Sequence, residues 1–297
     1  MMILVQIFGL QVGNNKDLNM SQISKFHLKK GIIALTIIIV LVGLVAYRYV
    51  QNQQQDNVLT IGISPPYAEL LQSVAKEVEK DGIHVKLVEF SDWQAPNVAV
   101  QNRDIDANFF QQSVFLKNAV KQTQYDLHAF GIGSGSHVGL YSKHYKSLDA
   151  LPQNARVVIP SDPVNSARAL ILLDRAGLIQ IKDINNELST LQDIVSNPKQ
   201  LKFLEVEGPQ TALAYDDADL IFGFPHYLNM AKKADLHSAL FLDPIDKKYA
   251  ILFVTRSDYQ DKNQKLEKFI HAFQNSKQVQ NILDQDFGKE MWFAGWK

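Results

Sequence analysis

From Val58 onward, short apolar runs alternate with amphipathic stretches, and this alternation constrains the fold more than any other feature of the chain. Val58 to Ile63 reads as a strand, Ser64-Pro65-Pro66 as a turn, and Tyr67 to Asp81 as a helix with Leu70, Leu71, Val74 and Val78 at helical spacing. Gly82 closes that helix, and Val85 to Phe90 returns as a strand. A short helix over Asp92 to Val100 and a strand over Ala107 to Phe110 extend the series. A second series follows: a strand over Arg156 to Ile159, a helix from about Pro163 to Ala176, a strand over Leu201 to Val206, a helix near Gln210 to Tyr215, and a strand over Leu220 to Phe222. Tyr249 to Thr255 reads as a last strand, with helices over Asn263 to Ser276 and Val279 to Asp286 returning to the first series. The βαβ rhythm predicts an α/β body with mainly parallel sheets, and two series predict two lobes: residues 58–140 plus 245–297, and residues 141–244.

Composition removes several function classes. With 46% hydrophobic and 21% charged residues in 297, the chain has enough apolar material for two packed lobes, and a net charge of -1 offers no broad basic surface for nucleic acid. There is no cysteine, which excludes disulfides, thiolate metal sites, cysteine nucleophiles and lipidation on cysteine. The eight histidines are scattered without HxxxH or HExxH spacing. Neither a metal nor a cofactor is expected.

The amino-terminal segment has its own chemistry. Residues 31–47 carry no charge, Lys25, Lys29 and Lys30 precede them, and Arg48 follows. The segment 31–50 is expected to be a membrane helix, with residues 1–30 on the cytoplasmic side and the body exported. A signal peptide is the competing reading, but Leu44-Val45-Ala46 is a poor small-x-small cleavage site, which favours an uncleaved anchor. Residues 1–19 do not look like a targeting head, and a start at Met20 is a hypothesis the sequence raises. Residues 51–57, polar and aperiodic, read as a tether.

In open α/β sheets ligands bind beyond the carboxyl ends of strands, so the segments there are the candidates for a site. Tyr67, Trp93, Phe109, Phe110, Phe222, Phe224 and Tyr227 alternate there with the amides of Gln111, Gln112 and Asn165 and one cation, Arg168. Core packing is the bland role for any one of these aromatics. In the run Ile159-Pro-Ser-Asp-Pro-Val-Asn-Ser-Ala-Arg-Ala-Leu170, Asp162 is a natural N-cap and Pro163 a natural first helical residue. Asn165 and Arg168, three apart, then share one face near the positive end of the helix dipole. Alone, the run is either a capped helix with a solvated arginine or a receptor for a carboxylate. Its company suits a small carboxylate or zwitterion with an apolar side chain.

Several segments, in order and similarly spaced, carry a family resemblance. Thr60-Ile-Gly-Ile-Ser, Val88-Glu-Phe-Ser-Asp-Trp-Gln-Ala-Pro-Asn97, Asp104-Ile-Asp-Ala-Asn-Phe-Phe-Gln111, Gly139-Leu-Tyr-Ser-Lys143, Lys146-Ser-Leu-Asp-Ala-Leu-Pro152, the run ending at Leu170, and Ala176-Gly-Leu-Ile179 resemble the methionine-binding lipoproteins of bacterial ABC importers. The resemblance covers about Val58 to the end. It implies a two-lobed periplasmic-binding-protein fold of type II kind, closing on a small amino acid such as methionine. It also implies an extracytoplasmic, membrane-anchored protein that partners an ABC permease and its ATPase, with no catalysis. By that resemblance Arg168 grips the carboxylate and Asn165 lies in the same site, and we expect Tyr67, Trp93, Phe110, Gln112 and Phe224 to complete the wall. Three features depart from the family pattern. The lipidated cysteine is missing, the family's Phe-Phe-Gln-His is here Phe109-Phe-Gln-Gln112, and the segment Ile221-Phe-Gly-Phe-Pro-His-Tyr227 lacks the family's asparagine for the amino group. Gly131-Ile-Gly-Ser-Gly-Ser-His137 is also unusually rich in Gly and Ser.

Two other functions compete. An enzyme on the same scaffold would use paired carboxylates, Asp104 with Asp106 or Asp216 with Asp217, but both pairs fall in polar turns where capping and solvation are the common roles. No Gly-x-Ser-x-Gly elbow or phosphate loop accompanies them. A membrane-tethered sensor or interaction protein with an altered pocket is the third reading.

Overall fold

The computed structural model describes Ile37, residues 39–44 and residues 58–297. These fall in two separate units, Met1–Asp56 and Asn57–Lys297. In the first, residues 39–44 are helical and their apolar side chains are exposed. Among the described residues no helix is long and apolar enough to cross a membrane. Apart from Ile37 and residues 39–44, the expected cytoplasmic segment 1–30, membrane segment 31–50 and tether 51–57 lie outside the described residues.

The body is organised around two five-stranded sheets. The first begins with β1 (Val58–Ile63), whose Leu59, Ile61 and Ile63 are fully buried. Helix α1 (Ala68–Val78) covers it with Leu70, Leu71, Val74 and Val78, the stripe its sequence period requires. A short 3-10 turn then ends at Gly82, whose φ of 74° is left-handed and suits glycine. Next come β2 (His84–Glu89), α2 (Ala95–Gln101), β3 (Ala107–Gln112), α3 (Ser113–Thr123) and β4 (Leu127–Ile132). A small strand β5 (Ser134–Ser136) leads to the second sheet through β6 (Gly139–Tyr141) and β7 (Arg156–Pro160), followed by α4 (Pro163–Arg175). Strands β8 (Gln180–Ile181) and β9 (Ile194–Ser196) pair in a side ribbon. The second sheet continues through β10 (Lys202–Val206), β11 (Leu220–Gly223), α5 (Pro225–Met230) and β12 (Phe241–Leu242). The chain then returns through β13 (Ile251–Arg256), α6 (Lys265–Asn275), α7 (Lys277–Leu283) and β14 (Trp292–Ala294), the last pairing with β5.

The sheets are mainly parallel, as expected, but each carries one opposed strand. In the first, ordered β2-β1-β3-β13-β4, β1 runs parallel to β2 and β3, while β13 is antiparallel to both β3 and β4. In the second, ordered β10-β7-β11-β6-β12, β6 is antiparallel to β11 and β12. The reason is connectivity. β6 and β13 are the strands that follow a passage from one sheet to the other, so each enters at the facing end and runs away from it. The expected helix near Gln210 to Tyr215 is likewise two 3-10 turns, Gly208–Gln210 and Leu213–Asp216.

Each sheet has its own core. Phe109, Phe253, Phe269, Phe273 and Phe287 gather around the first, and Tyr141, Ile159, Leu170 and Phe222 around the second. A small cluster joins the two, with Phe110, Val114 and Phe115 against Val164 and Trp93. The carboxyl ends of β1, β3, β7 and β11 and the entry of β13 converge on this junction, where the candidate site lies.

Candidate functional site

A narrow cavity lies where those strand ends meet. β1 and its turn supply Ser64 and Tyr67, β3 supplies Phe110 and Gln112, and the segment before α2 supplies Trp93. From the second sheet come Asn165 and Arg168 of α4, and Phe224, His226 and Tyr227 at the start of α5. Phe115, Ser136, Tyr249 and Ile251 complete the lining. Arg168 is the only charged side chain among these residues; none is Asp or Glu.

Arg168 is nearly buried, and a carboxylate fixes it. Its Nε donates to Oδ2 of Asp243 at 2.9 Å, while Arg175 donates from Nη1 to Oδ1 of the same carboxylate at 2.9 Å. The guanidinium carbon lies 3.6 Å from the centroid of the Tyr249 ring, a cation–π contact that sets the plane of the fork. Both terminal nitrogens of Arg168 are left without a hydrogen bond to a described residue. An arginine held at Nε with its two Nη groups open to a cavity can receive a carboxylate in bidentate fashion.

Asn165 is positioned by the helix start, as the N-cap reading of Asp162 requires. The Asp162 carboxylate accepts from the Asn165 backbone N–H at 2.9 Å and from its Nδ2 at 3.1 Å. Gln112, on the first sheet, donates from Nε2 to Asn165 Oδ1 at 3.3 Å, a hydrogen bond between the two halves of the body. Behind Gln112, the buried amides of Asn97, Asn108 and Gln111 bond one another, with Asn108 Nδ2 donating to Asn97 Oδ1 at 2.9 Å and Gln111 Nε2 to Asn108 Oδ1 at 3.0 Å. This network ties α2 to β3.

Trp93 reaches across the junction. Its Nε1 donates to the Tyr227 hydroxyl at 3.4 Å, and its ring stands edge-on to Phe224 with centroids 5.6 Å apart. A Cβ at Gly208 would clash with the edge of the Trp93 ring, so glycine is what lets that ring lie against the backbone after β10. Burial raises the pKa of the Tyr227 phenol to about 12 and pushes that of Tyr67 higher still, so both hydroxyls are neutral.

His226 is enclosed by rings. Its centroid lies 4.6 Å from Phe287, 4.9 Å from Tyr227 and 5.6 Å from Tyr67. Burial pushes its pKa down to about 3, which keeps the imidazole neutral.

All seven residues singled out in the sequence, Tyr67, Trp93, Phe110, Gln112, Asn165, Arg168 and Phe224, are brought together on this one cavity. Phe109 and Phe222, which shared the strand-end composition, are fully buried in the sheet cores instead. Phe110 and Gln112, two apart on a strand, face the cavity together, whereas Phe109 and Gln111 turn away. Asp243, Tyr249 and His226 were missed. Asp243 sits in a polar turn before a proline, a pattern that looks like any loop. The carboxylate pairs lie elsewhere: Asp106 accepts from the Thr60 backbone N–H at 2.7 Å, and Asp216 is paired with Lys143 and Lys233, which holds its pKa at about 2. Among the described residues no group of three His, Cys, Asp or Glu side chains is placed to hold a metal ion.

Comparison with known proteins gives one consistent answer. The family model described as NlpA lipoprotein matches residues 59–295. The D-methionine-binding lipoprotein MetQ of Escherichia coli O157:H7 is 36% identical over 229 residues, covering 76% of this chain and 84% of that protein. The crystal structure of a methionine-binding protein, MetQ, superposes with a TM-score of 0.75 at 34% identity, covering 82% of this chain and 99% of that one. A nutrient-binding protein from Burkholderia cenocepacia bound to methionine gives a TM-score of 0.73 at 35% identity, covering 80% and 99%. The body thus has the mixed α/β fold of periplasmic substrate-binding proteins.

Proposed function

This chain belongs to the NlpA lipoprotein family, and on that footing we propose that its body is the extracytoplasmic binding component of an ABC importer. It captures methionine or a closely related amino acid between two lobes, residues 58–140 plus 245–297 and residues 141–244. It then presents the ligand to a permease driven by a separate ATPase. The observation that carries this reading is the setting of Arg168: a buried, pre-oriented guanidinium with two free nitrogens, alone in its charge on a cavity walled by aromatic side chains.

In this reading Arg168 holds the ligand's carboxylate, Asn165 and Gln112 line the polar side, and Tyr67, Trp93, Phe110 and Phe224 enclose the apolar side chain. Residues from both sheets must touch the ligand, because only differential contact with the closed arrangement lets a ligand favour closure. The site captures and releases without chemistry; Asp106 and Asp216, one member of each carboxylate pair, are engaged in bonds away from it.

The absence of cysteine removes lipidation on this chain as an anchor. The uncharged stretch 31–47 behind Lys25, Lys29 and Lys30 has the composition of a membrane anchor and would take that role in its place. Native mass spectrometry of the full chain, released gently from detergent, tests the binding reading. A co-purifying mass matching a small amino acid, displaced by added methionine, supports it; an empty protein whose melting temperature ignores methionine and its relatives contradicts it.

A further inference from the structure

His226 is more than nine-tenths buried, lines the cavity, and has no hydrogen bond from either ring nitrogen to a described residue. Leaving such a group unsatisfied costs free energy that a purely structural residue would not be retained to carry, and an apolar ring of similar shape would fill the same aromatic nest without that cost. A neutral imidazole presents one donor nitrogen and one acceptor nitrogen. The ring is neutral because its pKa is pushed down to about 3 by burial.

The remaining lining sharpens what that acceptor is for. A zwitterion whose carboxylate sits on Arg168 brings a cationic N–H group into a cavity that none of the lining residues equips with a carboxylate. Its hydrogens must go to neutral acceptors. Asn165 Oδ1 already accepts from Gln112, and Asn165 Nδ2 is spent on Asp162. Phe224 and Ile251 offer nothing polar, the hydroxyls of Ser64, Ser136 and three tyrosines and the Gln112 Oε1 are further neutral acceptors on the wall, and His226 is the one imidazole among the lining residues.

We propose that His226 is a ligand-contacting, specificity-determining residue whose imidazole accepts a hydrogen bond from the amino group of the bound molecule. The site therefore selects an α-amino acid over the 2-oxo acid of the same side chain, which has the carboxylate but no N–H to give. This rests on the reading of the cavity as an amino-acid site.

Calorimetric titration of the full-length chain with L-methionine and with its 2-oxo counterpart, 4-methylthio-2-oxobutanoate, tests it, using wild type, H226F and H226Q. A hydrogen bond to a charged group supports an expected preference of about tenfold or more for methionine in the wild type. H226F weakens methionine by a similar factor and leaves the oxo acid within about threefold, while H226Q, which restores a neutral acceptor, recovers part of the loss. If H226F fails to fold, H226Q and H226N carry the comparison, and each must bind methionine measurably less well than wild type. Methionine binding unchanged in every variant overturns the assignment alone. Equal loss of both ligands overturns it too, since that outcome marks a structural role. A wild type that binds neither ligand overturns the amino-acid reading and this assignment together.

Discussion

Asp243 lies 75 residues along the chain from Arg168, and its carboxylate holds the Arg168 guanidinium at Nε, 2.9 Å away, with the other oxygen on Arg175. The pair is buried, with side-chain exposures of 7% and 3%, so its members depend on each other. Replacing Asp243 by Ala strands a buried guanidinium and removes the group that aims it. The expected cost is about 3 to 5 kcal/mol in stability, together with weakened methionine binding. Asp243→Asn keeps an acceptor for Nε and is expected to retain more of both. Urea denaturation and calorimetry on the two variants check this.

Gly208 admits the Trp93 ring from the other half of the body. Gly208→Ala is expected to drive the Trp93 ring out of its packing against the second core and so to hold the two halves apart. Ligand affinity should fall by about tenfold or more, the equivalent of about 1.4 kcal/mol. Adding Trp93→Ala removes the clash and should restore part of the closure. Small-angle scattering with and without methionine distinguishes a protein that cannot close from one that closes normally.

The depressed pKa of His226 makes stability depend on pH with a definite sign. Below the ordinary histidine value of 6.5 the unfolded chain binds a proton at this residue that the folded protein refuses until about pH 3. This contribution is therefore fully present above pH 6.5 and is lost as the pH falls from 6.5 toward 3. Between pH 6.5 and 5 the loss is about 2 kcal/mol, at about 1.4 kcal/mol per unit. H226Q should lack that part of the slope, a difference that denaturant titrations at the two pH values would show.

The Asn97–Asn108–Gln111 cluster is buried and mutually bonded. Asn97→Ala leaves the Asn108 and Gln111 amides short of partners and is expected to cost about 1 to 3 kcal/mol. Pairing it with Gln111→Ala should cost less than the sum of the two single changes, because they share bonds. A double-mutant cycle measured by denaturation gives the coupling.

Local pattern makes much of the body legible in the sequence. Leu70, Leu71, Val74 and Val78 recur at helical spacing and form the buried stripe of α1, and the Asp162-Pro163 start of α4 is capped as its residue types require. The seven candidate residues converge because strand ends in an α/β protein meet at one edge. The unread parts are non-local. The antiparallel direction of β6 and β13 follows from passages between sheets, which no period within a strand encodes. Asp243 acquires its importance only from Arg168, and Gly208 only from Trp93. His226 stood in view as part of a segment lacking an asparagine, but its unpartnered nitrogens are a property of its surroundings.

Titration of L-methionine into the full-length chain, wild type against Arg168→Ala and Arg168→Lys, bears most directly on the central claim that Arg168 receives the ligand's carboxylate. Loss of the bidentate contact should weaken binding by about 2 to 5 kcal/mol in the alanine variant. Lysine should restore only a fraction, since its single ammonium cannot reproduce the fork. Methionine bound by Arg168→Ala as tightly as by wild type would contradict the claim.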